Sequence, residues 1–201
     1  MRKVIDLTQP FVHGENIEAR LQEDLPVYCG HECCAWDLAV KSHTGTYFET
    51  ASHVLRDGGD TDSVPPEHLF MPCCVVRLGG DRHGVVEPEE MEAAPGGEEL
   101  REGDALLVAA SGNDDRYWSR ASAEWMGARK VRLFGAEPSS YDTGFENPTG
   151  FFVPLFEAGI PIVANLTNWG ELPEGRCELV VMPLLVKGVC TVPARVVVLL
   201  D

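Results

Sequence analysis

Within eleven residues the chain carries His43-Thr-Gly-Thr-Tyr47-Phe-Glu49-Thr-Ala-Ser-His53. Two imidazoles, a phenol and a carboxylate at this density can hold a metal or move protons. Neutral imidazole with carboxylate suits Zn²⁺, Mn²⁺ or Fe²⁺. An ion held by His43, Glu49 and His53 would bring the pKa of water bound to it down to about 7. His53 would then pass protons between that water and a leaving group. Tyr47 is a hydrogen-bond donor with an ordinary pKa near 10, and a poor ligand unless a metal or cation lowers that value. A polar strand end with hydrogen-bonded histidines uses the same residue types. Spacing alone therefore leaves both readings open.

A short extended stretch followed by a turn would bring these side chains together. Read as a strand, residues 43–49 alternate faces. His43, Gly45, Tyr47 and Glu49 fall on one face; Thr44, Thr46 and Phe48 fall on the other. Gly45 lets something approach the backbone closely. If the chain turns helical after Glu49, His53 lies four residues on and stays beside it.

The rest of the chain reads as short strands with about three helices. Strands are expected at Val4–Leu7, Trp36–Val40, Cys73–Leu78, Ala105–Ala110, Val131–Phe134, Ile160–Ala164, Glu178–Pro183 and Arg195–Leu200. A helix from Ser119 to Gly127 has a serine N-cap and a glycine stop. A second spans Phe151–Ala158, with Pro154 confined to its first turn. Residues 13–35 look irregular, residues 56–66 and 136–150 are turn-rich loops, and residues 79–103 look least ordered. No repeat and no linker divides the chain, so one domain over 1–201 with a mixed sheet and outer helices is expected.

The net charge is −16, from 32 acidic and 16 basic residues. Such a surface repels nucleic acid and anionic membranes. Apolar runs fall far short of the roughly 18 residues that span a bilayer. The seven cysteines are odd in number, and two pairs are adjacent, where a strand points them to opposite faces. With no signal peptide visible, a cytoplasmic protein with reduced thiols is expected. Cys29-Gly-His31-Glu-Cys33-Cys34 has metal-like residue types but no standard zinc spacing; the plain alternative is a loop with buried thiols. Glu137, Tyr141, Asp142 and Glu146 lie in a loop after a strand and are secondary candidates to line a site. The four tryptophans read as core or interface residues.

The His43–His53 segment resembles the signature of the cyclase family, which includes bacterial kynurenine formamidase and isatin hydrolase: His-x-Gly-Thr-His-x-Asp-x-Pro-x-His. His43, Gly45, Thr46 and His53 are in register with it. Ile5-Asp6-Leu7-Thr8, Leu25–Tyr28, Gly103–Val108, Gly159–Leu166, Met182-Pro183-Leu184 and Pro193-Ala194-Arg195 resemble further family segments in the same order. The resemblance implies an α/β (mixed α+β) fold, a swivelling β/β/α domain, in a homodimer or homotetramer. It implies a small-molecule substrate with a C–N bond, and one divalent ion, zinc or manganese. The signature's second histidine and its aspartate are Tyr47 and Glu49 here, and the motif proline is Ala51. Two further family ligand positions fall on Phe152 and Ala164, which bind no metal, so a two-metal centre is not expected. Three readings follow: a one-metal hydrolase of an amide, lactam or lactone on His43 and Glu49 with His53 as acid/base; a metal-free hydrolase or lyase using Glu49 or His53 as base and Tyr47 to polarise substrate; and a non-catalytic binding or assembly protein.

Overall fold

Runs of β-branched and apolar residues become the strands of one large sheet. The computed structural model describes residues 2–80, 82–112, 115–137, 140–144 and 146–200. In chain order the strands and helices are β1 (Lys3–Asp6), β2 (Glu18–Leu21), β3 (Val27–Tyr28), β4 (His31–Glu32), β5 (Trp36–Ala39), β6 (Tyr47–Glu49), β7 (Phe70–Arg77), β8 (Gly84–Val86), α1 (Pro88–Ala93), β9 (Ala105–Ala109), β10 (Arg116–Trp118), α2 (Arg120–Ala128), β11 (Leu133–Ala136), α3 (Phe152–Glu157), β12 (Ile162–Ala164), β13 (Gly175–Pro183) and β14 (Thr191–Leu200).

Eight strands form a mixed sheet in the order β1-β14-β13-β7-β9-β11-β12-β6, and β6 also pairs with β14. That extra pairing closes seven strands into a barrel. One edge of β14 is shared: Thr191–Pro193 pair with β6, and Val197–Leu200 pair with β1. The run β7-β9-β11-β12 is parallel, and the other pairings are antiparallel.

Side chains alternate between two cores. Phe48, Cys73, Val75, Leu107, Val163 and Val196 fill the inside of the barrel. Cys74, Val76, Leu106, Val108, Phe134 and Ile162 face outward, where Trp118, Met126, Phe151 and Leu155 cover them. Strands buried on both faces read as continuous apolar runs, which is why Ala105–Ala109 shows no alternation. Trp118, Phe134, Tyr141 and Phe151 meet edge-on or tilted, with Trp118 and Phe134 centroids 5.3 Å apart.

Several expectations are corrected. Residues 13–35 are not irregular: β2 pairs with β5, and β3 with β4. These ribbons are mostly exposed, so no buried face imposes an alternating pattern on their sequence. Leu21, Val27, Tyr28, Trp36 and Leu38 stand in solvent on them. Residues 79–103 contain β8 and α1, because Met91, Ala94 and Leu100 dock into the outer core. Pro88 opens α1, and Glu89 and Glu90 sit in its first turn, where the helix dipole favours them. The acidic run is thus partly a helix's wet face. The α2 helix does begin at a Ser119 cap, whose hydroxyl accepts from the Ser122 amide. It does not stop at Gly127, which instead allows close approach to Ala158; a Cβ there would lie 3.1 Å from that methyl.

Candidate active site

The structure overturns the extended reading of residues 43–49. Only Tyr47–Glu49 are strand, and His43 sits in a turn before it. The turn is pinned from four directions. Gly45 takes φ +61° under the Phe11 ring, where a Cβ would lie 3.0 Å from Phe11 Cζ. Buried Thr46 donates its hydroxyl to the Asn165 carbonyl at 2.7 Å and accepts from the Gln9 amide at 2.8 Å. The Asn165 side-chain amide donates to the Gly45 carbonyl at 2.9 Å. The Ala194 amide donates to the Thr46 carbonyl at 3.0 Å. These bonds fold the chain back so that His43 reaches the side of β6 that carries Glu49.

After Glu49 the chain makes the expected helical turn, a 3₁₀ segment over Ala51–His53. The three side chains converge. His43 Nε2 lies 2.7 Å from Glu49 Oε2, and His53 Nδ1 lies 3.7 Å from the same oxygen. The two imidazole centroids are 4.9 Å apart, and the Tyr47 ring meets His43 edge-on at 5.2 Å. Glu49 is 2% exposed. Tyr47 and His53 are half-buried, and His43 is exposed. Within the group the carboxylate is the buried member and the imidazoles are the more exposed ones.

Sequence reasoning missed three partners. Thr191, directly opposite Glu49 in the β6–β14 ladder, donates its hydroxyl to Glu49 Oε2 at 3.1 Å. Cys190 Sγ lies 3.9 Å from His53 Nδ1. Ser42 Oγ lies 2.9 Å from His43 Nδ1 and orients that ring. Thr191 and Cys190 are about 140 positions from the motif, and β14 begins at Thr191 rather than at the expected Arg195. The Val-Cys-Thr-Val run carries no local signal of this role.

The donor set fits one divalent ion. His43 Nε2, Glu49 Oε2 and His53 Nδ1 all lie within 4.8 Å of one another, the one such group among the described residues. A buried carboxylate needs a compensating charge. The ion-pair partners of Glu49 among the described residues are the two imidazoles. Imidazole and carboxylate together are borderline donors that suit zinc or manganese. Burial, and then the charge of Glu49, push the Tyr47 phenol up to about 12. That shift favours the protonated phenol, a hydrogen-bond donor.

The weaker candidates do not join the group. Cys29, His31, Cys33 and Cys34 are exposed on the β3–β4 hairpin and do not converge, so they are not buried thiols either. Glu137 accepts from the Ala110 and Gly112 amides at 2.6 and 3.0 Å and braces two strand ends. Tyr141 is buried and donates to the Val163 carbonyl at 2.6 Å. Asp142 accepts from the Thr149 amide at 2.6 Å and organises its own loop. Glu146 is exposed.

The family model named Cyclase matches residues 5–143. The chain belongs to the cyclase family. Among its relatives, this cyclase is 28% identical over 170 residues to a kynurenine formamidase of Salinibacter ruber, covering 80% of this chain and 77% of the relative. It is 26% identical over 205 residues to a kynurenine formamidase of Maricaulis maris, covering 90% and 95%. In fold it is similar to isatin hydrolase A from Labrenzia aggregata, with a TM-score of 0.76 at 21% identity over 99% of this chain and 94% of that one. An isatin hydrolase bound to thioisatinate gives a TM-score of 0.79 at 16% identity over 100% and 93%. This cyclase departs from the family signature at Tyr47. Ala164, directly opposite Tyr47 in the β6–β12 ladder, and Phe152, at the start of α3, offer no donor atom.

Proposed function

We propose that the protein is a metal-dependent hydrolase that cleaves a C–N bond in a small amide or lactam, or the C–O bond of a lactone. The carrying observation is the buried Glu49 carboxylate with two imidazoles at its edge and no Lys or Arg paired to it among the described residues. The names of the relatives, kynurenine formamidase and isatin hydrolase, support the same substrate class. His43 and Glu49 would hold the ion. When bound, the ion supplies positive charge that polarises the substrate carbonyl.

The side chains divide the remaining work. Ser42 orients the His43 ring, and Thr191 orients the Glu49 carboxylate; such outer partners commonly matter 10–100-fold, roughly, for affinity or activity. Tyr47, neutral at working pH, donates a hydrogen bond to the carbonyl oxygen as negative charge builds there. His53 takes a proton from the attacking water and returns it to the leaving nitrogen or oxygen.

A second reading has its own support. His43 and Thr191 already give Glu49 Oε2 two hydrogen-bonding partners, so Glu49 or His53 can act as a base without an ion.

The test is a panel of aryl formamides, lactams and lactones with wild type and His53→Ala, each with metal content measured. The proposal expects turnover of at least one class, a loss of about 10²–10⁴-fold in kcat in the variant, and unchanged metal. Turnover that survives removal of all metal favours the second reading. Loss of the ion in His53→Ala moves His53 into the ligand set. No turnover of any class makes the protein a binder.

A further inference from the structure

Apart from Cys190 beside His53, the cysteines have no part in the site argued above. Two of them face each other. Cys73 of β7 and Cys177 of β13 are direct partners in an antiparallel ladder. Both side chains point into the barrel. Cys73 is fully buried in the inner core, and Cys177 packs on that core from a half-buried position. Their ladder pairing sets the two thiols side by side on the same face of the sheet. Cys74 points outward, its thiol 3.1 Å from the Gly96 carbonyl, and does not compete.

Directly opposed residues in such a ladder have Cβ atoms about 4.5–5.5 Å apart. A disulfide needs a Cα separation of about 4.4–6.8 Å and a Cβ separation of about 3.5–4.5 Å. Closing the bond therefore takes an approach of about 1 Å between two strands that are already paired. We propose that Cys73 and Cys177 form a reversible disulfide, a site of modification by hydroperoxides in the barrel wall.

The two thiols differ in a useful way. Cys177 is the member with solvent access. The neighbouring Cys73 thiol, and then the nearby Arg176 guanidinium, hold the Cys177 thiol below its ordinary range. Thiolate is the attacking form. Burial keeps Cys73 protonated until its turn comes. The Cys177 thiolate attacks one peroxide oxygen; the O–O bond breaks and an alcohol or water leaves, with Cys177 as sulfenic acid. Cys73 sulfur then attacks that sulfur, its proton goes to the departing oxygen, the S–O bond breaks, and water leaves. The two thiols together lose two electrons and the hydroperoxide gains them. A bond that closes only when the paired strands draw together is strained, so thiols reduce it readily.

The test treats the folded full-length chain with hydrogen peroxide, blocks remaining thiols by alkylation, and maps peptides by mass spectrometry before and after dithiothreitol. The proposal expects a Cys73–Cys177 cross-linked peptide two hydrogens lighter than its parts, lost on reduction and absent from Cys177→Ser. Cys177 ending as sulfinic or sulfonic acid with Cys73 still alkylated overturns it. So does retention of both thiols after the exposed Cys29, Cys33 and Cys34 have been oxidised.

Discussion

Glu49 and Tyr47 sit two residues apart on β6, and the barrel treats them differently. Glu49 receives Thr191 and His43 at 3.1 and 2.7 Å. Tyr47 is packed against the outer core. Its phenol rises to about 12 through burial and then the Glu49 charge. The consequence for stability has a definite sign. The unfolded phenol ionises near pH 10 while the folded one stays neutral. The folded state therefore holds one more proton between about pH 10 and 12, and stability falls across that window. Tyr47→Phe should flatten this fall in denaturant titrations between pH 9 and 11.5 and leave stability near neutrality little changed; an unaltered alkaline slope would contradict the assignment. The residue types at the site were legible in the sequence, because His43, Tyr47, Glu49 and His53 are close along the chain. Thr191, Cys190 and Ser42 were not, since a lone hydroxyl or thiol beside a strand has no pattern until the ladder sets its register.

The element that aims His43 is a turn, not a strand. An alternating pattern over residues 43–49 suggested one common face, yet Thr46 is held by Asn165 and Gln9 in a bend. Side-chain bonds from distant segments overrode the local pattern, and the imidazole reached the same place by another path. Gly45 is where this can be tested. It combines φ +61° with the Phe11 ring 3.0 Å from where a Cβ would sit, so alanine is strained in both backbone and packing. Gly45→Ala should displace the turn, weaken metal uptake at least tenfold, roughly the scale of lost supporting contacts, and lower the melting temperature only modestly. Full metal affinity in that variant would show that the turn does not aim His43. The 3₁₀ turn carrying His53 was legible because an i, i+4 spacing from Glu49 demands it. Short β2 to β4 were not, because exposed ribbons leave polar and apolar residues in no fixed order, whereas β5 was expected at Trp36–Val40.

At the scale of the molecule, closing β6 onto β14 makes the site. Glu49 belongs to β6 and Thr191 to β14, and their pairing seals the barrel at the point where the carboxylate is buried. Most strands of the large sheet followed from their apolar runs. The closure did not, because β6 is three residues long and its two partners lie more than 110 positions away. Both apolar cores pack against this seam, so the expected outcome of removing an ion is a chain that stays folded. That separates ligand loss from fold loss. The most direct measurement is the metal content of the purified chain and of Glu49→Gln after equilibration with zinc or manganese, with far-ultraviolet circular dichroism on both. The expected result is about one ion per chain in the wild type, in line with the one donor group among the described residues, and almost none in the variant at an unchanged spectrum. A wild-type chain that takes up no ion, or a variant that keeps it, would contradict the account.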